Sequence, residues 1–195
     1  RGIVHSEMPQ QTEGRMRGFQ LWLNLPAKEK MKPAAYSDIP SAAIPVADAE
    51  NGVRVKVIAG TLEQGGGTTT GPIHGLSTDP RYFDVMLPAK ASFEASVPKG
   101  HNVFLYAYEG EAAVGAERKP LPHRAAGLLS DGDSVRIEAG TDGARVLLLA
   151  AKPIGEPVVQ YGPFVMNTRE EIERAIADYQ SGEIAKQPVR RIRIA

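Results

Sequence analysis

The chain has 195 residues, of which 42% are hydrophobic and 24% charged, and 23 Lys and Arg residues balance 23 Asp and Glu residues. This charge balance argues against a nucleic-acid footprint over the whole chain, because duplex binding usually requires a basic excess. The absence of cysteine excludes disulfides, zinc–thiolate sites, iron–sulfur clusters and a cysteine nucleophile. The longest apolar run, residues 146–151, is far too short to cross a bilayer.

Two segments near the start of the chain are predicted to be strands. One covers residues 2–7, and the other covers residues 18–24, where every second residue is Phe or Leu. Side chains two positions apart on a strand point to the same face. His5 and Glu7 are therefore expected to project together, and an imidazole beside a carboxylate supplies half of a four-ligand metal site.

The middle of the chain alternates between turns and short strands. Residues 28–45 contain three prolines and are predicted to be an irregular linker. Strands are predicted at residues 53–57, 82–87, 93–97, 102–108, 112–114, 135–139 and 145–151. Turns are predicted at residues 51–52, 109–111, 131–133 and 142–143, with a mobile loop at residues 65–70. Strands of this length and spacing are typical of an antiparallel barrel or sandwich.

The end of the chain has a helical pattern instead. Thr168 and Glu171 form a capping box, which predicts a helix over residues 169–181. The apolar face of that helix consists of Ile172, Ala175, Ile176 and Tyr179. A final strand is predicted within residues 188–194. It carries Arg190, Arg191 and Arg193, which favour a charge-protected edge strand over a nucleic-acid contact.

Two long motifs resemble the signatures of the pirin family, within the cupin superfamily. The first joins residues 1–7, Arg-Gly-Ile-Val-His-Ser-Glu, to residues 18–26, Gly-Phe-Gln-Leu-Trp-Leu-Asn-Leu-Pro. The second is residues 155–168, Gly-Glu-Pro-Val-Val-Gln-Tyr-Gly-Pro-Phe-Val-Met-Asn-Thr. The resemblance covers essentially the whole chain. It implies an all-β bicupin, with two antiparallel barrels or jelly rolls and one C-terminal α-helix.

The resemblance also implies how the chain is divided. Residues 1–45 would be the C-terminal part of the first, metal-binding cupin barrel plus a linker, and residues 46–152 the second, metal-free barrel. Residues 153–195 would form a C-terminal segment with the helix and the final strand. The first barrel would be incomplete here, since the chain would start well inside a typical family member.

The iron of the family is held by three histidines and one glutamate, from an early His-x-His motif and a later His-x-Glu motif. The later motif corresponds to His5 and Glu7, so the resemblance assigns these two residues as metal ligands. Two further histidines are expected upstream of Arg1, because this chain contains no His-x-His. The remaining histidines, which are predicted to be ordinary surface or turn residues, are His74, His101 and His123. The expected cofactor is Fe(II), with another divalent metal as the alternative.

The resemblance implies a quercetin 2,3-dioxygenase-type oxygenase that acts on flavonol or catechol-like phenols with O2. Glu7 would be either a general base for a phenolic substrate or a purely structural ligand, and both roles stay open. The alternative function is a metal-dependent regulatory binding module, of the transcriptional co-regulator type, with a protein partner and no catalysis. A third reading is that this chain alone is not catalytic. No direct nucleic-acid or membrane contact is expected, and the expected location is cytoplasmic, or also nuclear in a eukaryote.

Overall fold

The computed structural model describes residues 2–7, 12–14, 16–184, 186 and 189–191. Residues 190 and 191 are described by their backbone alone. The chain divides into two compact units. We call Ile39–Pro153 the sheet unit, and Arg1–Asp38 together with Ile154–Ala195 the terminal unit. The structure is mostly β, with one substantial helix near the C-terminus, as the sequence predicts.

The α-helices are α1 (Ala27–Lys30) and α2 (Arg169–Gln180), and short 3₁₀ helices lie at Ser41–Ala43 and Glu50–Gly52. The strands are β1 (Ala35–Tyr36), β2 (Val46–Asp48), β3 (Arg54–Ala59), β4 (Thr61–Gln64), β5 (Gly67–Thr70), β6 (Arg81–Leu87), β7 (Ser92–Ser96), β8 (Asn102–Val114), β9 (Lys119–Leu121), β10 (Ala126–Leu128), β11 (Ser134–Ala151), β12 (Val159–Tyr161), β13 (Phe164–Met166) and β14 (Arg190–Arg191). Within the described residues, no helix has the length and apolar character that a bilayer span requires.

An eight-stranded antiparallel sheet organises the sheet unit. Its strand order is β10-β8-β11-β6-β3-β2, with β7 also paired to β11 and β9 to β8. The sheet ends in two edge strands and does not close on itself. The long strands β8 and β11 pair with each other along most of their length, so they hold together the strands on either side. A separate hairpin joins β4 and β5.

One face of this sheet encloses an apolar core. Alternate residues of β3 and β6 point inward, as the period of two along a strand requires. Those with essentially no exposed surface include Val55, Val57, Phe83 and Val85. Each such side chain contributes about 1.5–3 kcal/mol relative to an exposed one. The core is completed from β7, β8 and β11 by Phe93, Leu105, Ile137, Val146 and Leu148.

Helix α2 begins where the capping box predicts. The hydroxyl oxygen of Thr168 accepts a hydrogen bond from the backbone N–H of Glu171 at 3.2 Å. The carboxylate of Glu171 accepts in return from the backbone N–H of Thr168 at 3.0 Å. The helix ends at Gln180, one residue earlier than predicted, and Gly182 follows with a left-handed φ of 75°.

The two strands predicted near the start of the chain are not formed. Residues 2–7 and 18–24 have no strand structure, although the period-two pattern of residues 18–24 predicts one. A strand requires a hydrogen-bonded partner, and alternation of side chains along one segment does not supply it. The premise that a strand holds His5 and Glu7 on one face is therefore wrong.

Three glycine-rich segments also differ from the prediction. Residues 65–70 are not a mobile loop, because Gly65 and Gly66 are the turn between β4 and β5. Residues 109–111 and 142–143 are not turns between strands but lie inside β8 and β11, where the ladder is irregular.

The predicted final strand is seen only as β14, which pairs in parallel with β1, while residues 188 and 192–194 lie outside the described residues.

Candidate functional site

The predicted ligand pair lies on an exposed segment of the terminal unit. Residues 2–7 are exposed throughout, including His5 and Glu7. A Cβ atom at Gly2 would lie 3.5 Å from the Cγ2 atom of Ile184, so the segment starts beside the chain that follows α2. Among the described residues, neither His5 nor Glu7 has a hydrogen-bond or ion-pair partner. Both side chains are accessible to a metal ion from solvent.

The side chains of this pair have the right donor types for a metal centre, but two donors are too few to complete one. Imidazole and carboxylate are the donors that non-haem Fe(II) prefers. The part of the chain that the structure describes contains no group of three or more His, Cys, Asp or Glu residues placed to hold one ion. His5 and Glu7 would therefore supply at most two of the donors that such a centre requires. Two donors with open positions give weak binding by themselves.

The other three histidines belong to the sheet unit, and two of them contact backbone carbonyl oxygens. One ring nitrogen of His74 lies 2.8 Å from the carbonyl oxygen of Gly71. One ring nitrogen of His123 lies 3.1 Å from the carbonyl oxygen of Tyr108. Each ring is thus oriented by a backbone carbonyl rather than by a second potential ligand.

His101 is more buried than the sequence predicts. Its side chain is only 6% exposed, and its Nε2 atom lies 3.7 Å from a carboxylate oxygen of Asp79. Burial lowers the pKa of His101 below its ordinary value, and the negative charge of Asp79 partly opposes this shift. A neutral imidazole beside one carboxylate is a local structural contact here, since no third donor joins it among the described residues.

The interior of the sheet unit is almost entirely apolar. All residues of this unit are described, and its core cluster consists of hydrophobic side chains. Its buried polar residues are Thr78 and Asp84. Asp84 is already occupied, since it accepts from the Tyr108 hydroxyl at 2.6 Å and from the Arg145 guanidinium at 3.2 Å.

Asp84, Tyr108 and Arg145 form a small polar cluster, which we call the Asp84 cluster. Burial and the hydrogen bond to Asp84 raise the pKa of Tyr108 well above its ordinary value. The guanidinium carbon of Arg145 lies 5.1 Å from the centre of the Tyr108 ring, a cation–π arrangement. The cluster satisfies a buried carboxylate, so its evident role is structural.

A cavity of about 540 Å³ is present in the terminal unit. We call it the Trp22 cavity. Its apolar wall comes from the segment around Trp22, from β13 and from the residues after α2. The polar side chains at its rim are Asn24, Lys30, Glu171, Arg174, Asp178 and Glu183. His5 and Glu7 do not line it.

Lys30 links two of the segments that form this cavity. Its ammonium group donates to the Asn24 side chain at 2.5 Å and to the carbonyl oxygen of Val165 at 3.0 Å. Burial lowers the pKa of Lys30, and Glu156 and Glu171 partly restore it. Nearby, a Glu156 carboxylate oxygen accepts from the backbone N–H of Ala27 at 2.7 Å and from the Asn167 amide at 3.0 Å.

The sequence pattern does not reveal this cavity, because its walls are far apart in the chain. Lys30 and Val165 are separated by 135 positions. One signal was available: Arg174 and Asp178 are four residues apart and so share one side of α2.

Comparison with known proteins identifies the family. Residues 82–185 match the model of the pirin C-terminal cupin domain. A Pseudomonas aeruginosa protein that carries the name “Putative quercetin 2,3-dioxygenase” is 51% identical over 94% of this chain and 65% of its own length. A pirin-like protein of Caulobacter vibrioides is also 51% identical, over 93% of this chain and 64% of its own length. The chain thus spans slightly less than two thirds of these curated relatives.

A solved structure supports the fold. The crystal structure of a quercetin 2,3-dioxygenase from Acinetobacter baumannii superposes with a TM-score of 0.74 and 32% sequence identity, covering 84% of this chain and 55% of that chain. The family match covers more than half of the chain and includes the second signature motif, residues 155–168. The chain is a member of the pirin family, within the cupin fold.

Proposed function

We propose that this chain belongs to an iron-dependent oxygenase of the quercetin 2,3-dioxygenase type, with His5 and Glu7 as two of its metal ligands. The observation that carries the proposal is the exposed His5-x-Glu7 pair, whose side chains have no partner among the described residues. The names of the Pseudomonas aeruginosa relative and of the Acinetobacter baumannii structure support the same reaction class. The remaining imidazole ligands are proposed to precede Arg1.

The residues of this chain would take two roles. His5 would bind the metal through one ring nitrogen, which requires the neutral imidazole. Glu7 would bind through its carboxylate, and a carboxylate that leaves the metal can accept the proton of a phenolic hydroxyl. A bound iron would supply the redox chemistry that brings the phenol and O2 to reaction. The substrate class that follows is a flavonol or another catechol-like phenol.

Aerobic turnover of a flavonol tests this proposal. The full-length protein, including the residues proposed to precede Arg1, is purified and loaded with Fe(II), and the decay of the flavonol absorption band is followed for the wild type, His5→Ala and Glu7→Gln. His74→Ala is the matched control, because His74 is also exposed but lies against a backbone carbonyl. We expect turnover in the wild type and the control, and none in the two ligand variants.

Two outcomes would reject parts of the proposal. Turnover that survives in His5→Ala and Glu7→Gln would mean that these residues are not the metal ligands. Absence of turnover with any phenol, together with reproducible and metal-dependent capture of a protein partner, would favour the regulatory binding module.

A further inference from the structure

Two loops and the end of β11 meet at one end of the sheet unit. Residues 76–80 lead into β6, residues 98–101 lead into β8, and Lys152 follows β11. The strand register places the starts of β6 and β8 beside the end of β11. The backbone N–H of Lys152 donates to the carbonyl oxygen of Thr78 at 2.8 Å, which ties the first loop to β11. We call this meeting point, formed by the two loops and Lys152, the His101 junction.

The side chain of His101 lies inside this junction. It is only 6% exposed, and its Nε2 atom lies 3.7 Å from a carboxylate oxygen of Asp79. The imidazole therefore spans from the loop before β8 to the loop before β6. Its other nitrogen, Nδ1, is buried and has no hydrogen-bond partner among the described residues.

Tight turns in both loops place the two side chains opposite each other. Asp79 has a left-handed φ of 42°, a conformation that few residues other than glycine adopt. Its backbone N–H donates to the carbonyl oxygen of Leu76 at 2.9 Å, which closes the turn. Gly100, directly before His101, has a left-handed φ of 83°. The pair is thus held by the backbone of the closed loops.

The unpartnered Nδ1 atom makes the closed junction suited to a neutral imidazole. A neutral ring carries one N–H, and an N–H on Nε2 faces the carboxylate of Asp79 while Nδ1 stays a bare acceptor. A protonated ring carries an N–H on both nitrogens. The second N–H would then be a buried donor without an acceptor, which is unfavourable.

The charges around the ring act in the same direction. Burial is the main cause that lowers the pKa of His101, and the carboxylate of Asp79 partly opposes it. Arg81 at the start of β6 and Lys152 after β11 lower this pKa further, because both are cations that face the ring. The guanidinium of Arg81 donates to the carbonyl oxygen of Ser96 at 3.2 Å. The Asp79 side chain is 58% exposed, so water screens the one charge that would favour an imidazolium.

We propose that the His101 junction is an acid-sensitive contact that opens locally when His101 is protonated. The charged side chain leaves its buried position, and residues 76–80 separate from residues 98–101. The rest of the sheet unit stays folded, because its core cluster contains no residue of either loop. The proposal does not depend on the oxygenase proposal, since neither His5 nor Glu7 belongs to the junction.

The direction of the pH dependence follows from the lowered pKa of His101. In the open junction the ring titrates near its ordinary pKa of about 6.5, whereas the closed junction binds the proton only at lower pH. The closed state is therefore fully favoured above about pH 6.5 and loses stability as the pH falls below that value. One additional proton in the open state changes the opening equilibrium by at most about tenfold per pH unit.

Hydrogen exchange of single amides, followed by nuclear magnetic resonance on the intact protein, tests the proposal. The reporter is the amide of Lys152, which is bonded to the carbonyl oxygen of Thr78 in the closed junction. The reference is the amide of Gly115, which is bonded to the carbonyl oxygen of Arg136 beyond the other end of β8. Protection is expressed relative to an unstructured chain at the same pH. From pH 7.5 to pH 5.5 we expect protection of Lys152 to fall by up to about tenfold and that of Gly115 to stay constant.

Variants assign this effect to one side chain. His101→Gln does not titrate in this range, so its Lys152 protection should be independent of pH. His74→Gln is the matched control, because His74 is an exposed histidine of the same unit that lies against a backbone carbonyl, and it should keep the wild-type fall. Asp79→Asn should steepen the fall, since it removes the one negative charge that opposes the lowered pKa of His101.

Constant protection of Lys152 in the wild type would overturn the proposal, and so would an equal fall in a folded His101→Gln protein. A parallel fall at Gly115 would also overturn it, because the whole sheet unit would then be losing stability. A ring titration uses the wild type alone and so holds even where a variant does not fold. A His101 ring that titrates at about pH 6.5 or above would contradict a junction that closes on the neutral form.

Discussion

At the scale of single residues, buried polar groups are stabilised by specific partners. Asp84 is a carboxylate on the sheet with only 8% of its surface exposed, a costly position unless hydrogen bonds compensate. Tyr108 and Arg145 supply those bonds. The same bond to Asp84, together with burial, keeps the Tyr108 hydroxyl protonated to high pH. This has a measurable consequence for stability.

Tyr108→Phe should lower the free energy of unfolding by about 1–3 kcal/mol at pH 8, because Asp84 loses a donor. The difference from wild type should shrink above about pH 10, the ordinary tyrosine pKa. Above that pH the unfolded wild-type chain loses the Tyr108 proton while the folded chain keeps it, so wild-type stability falls and the variant escapes this loss. Urea unfolding followed by circular dichroism at pH 8 and pH 11 measures both effects.

Tyr161→Phe serves as the control, because Tyr161 is 66% exposed. A gap between wild type and Tyr108→Phe that stays constant or widens from pH 8 to pH 11 would show that the hydroxyl of Tyr108 is not held protonated by the fold. The partial rise in the pKa of Tyr82, also from burial, remains in both proteins and does not change the comparison.

At the scale of elements, two glycines allow the long strands to approach each other. Gly110 in β8 has a φ of 60°, and a Cβ atom there would lie 2.1 Å from the carbonyl oxygen of Gly143 in β11. Real Cβ atoms do not approach backbone oxygens so closely. The irregular register between β8 and β11 falls at this point, so the glycines are part of how the sheet bends.

Gly110→Ala should therefore destabilise the sheet unit more than a comparable glycine elsewhere. Gly115→Ala is the matched control, since Gly115 also has a left-handed φ, of 73°, but open space around its Cβ position. In both variants, the left-handed backbone conformation lowers the free energy of unfolding by about 1–2 kcal/mol. In Gly110→Ala, steric overlap lowers it further, by about 1–3 kcal/mol. Thermal unfolding of the two variants measures the difference, and equal losses would contradict the close approach.

The helix could be predicted from sequence because its signals are local. Thr168 and Glu171 specify the start of α2 within four residues, and the structure has the same capping bonds. The prediction failed at Gly110 and Gly143, since glycine at positive φ serves turns and bulges alike and only the partner strand decides between them. Residues 18–24 alternate like a strand but have none of the pairing that would make them one.

The candidate sites were only partly predictable for the same reason. His5 and Glu7 are visible as a motif, and the family that the motif indicates is confirmed. Their local geometry could not be predicted, because it depended on a strand that is not formed. The Trp22 cavity depends on contacts such as that between Lys30 and Val165, which pattern along the chain does not encode. Assignment of the two units to a first and a second cupin barrel stays a prediction.

At the scale of the whole molecule, the buried apolar core and the candidate functional residues belong to different units. Of the hydrophobic residues described as buried, all except Ile172 belong to the sheet unit. The proposed ligands and the Trp22 cavity both belong to the terminal unit. A packed apolar core stabilises a rigid scaffold, whereas binding residues are usually found on exposed segments. We therefore propose that a metal ion binds in the terminal unit and not in the sheet unit.

The most direct test is nuclear magnetic resonance of the histidine rings during anaerobic addition of Fe(II). The chain has four histidines, His5, His74, His101 and His123, so each ring gives an assignable signal. A paramagnetic ion broadens the signals of the residues that bind it. We predict that the His5 signal broadens first, below one equivalent of metal, and that Glu7→Gln weakens this effect. Broadening of a sheet-unit histidine before His5, or no broadening of His5 at all, would contradict the account.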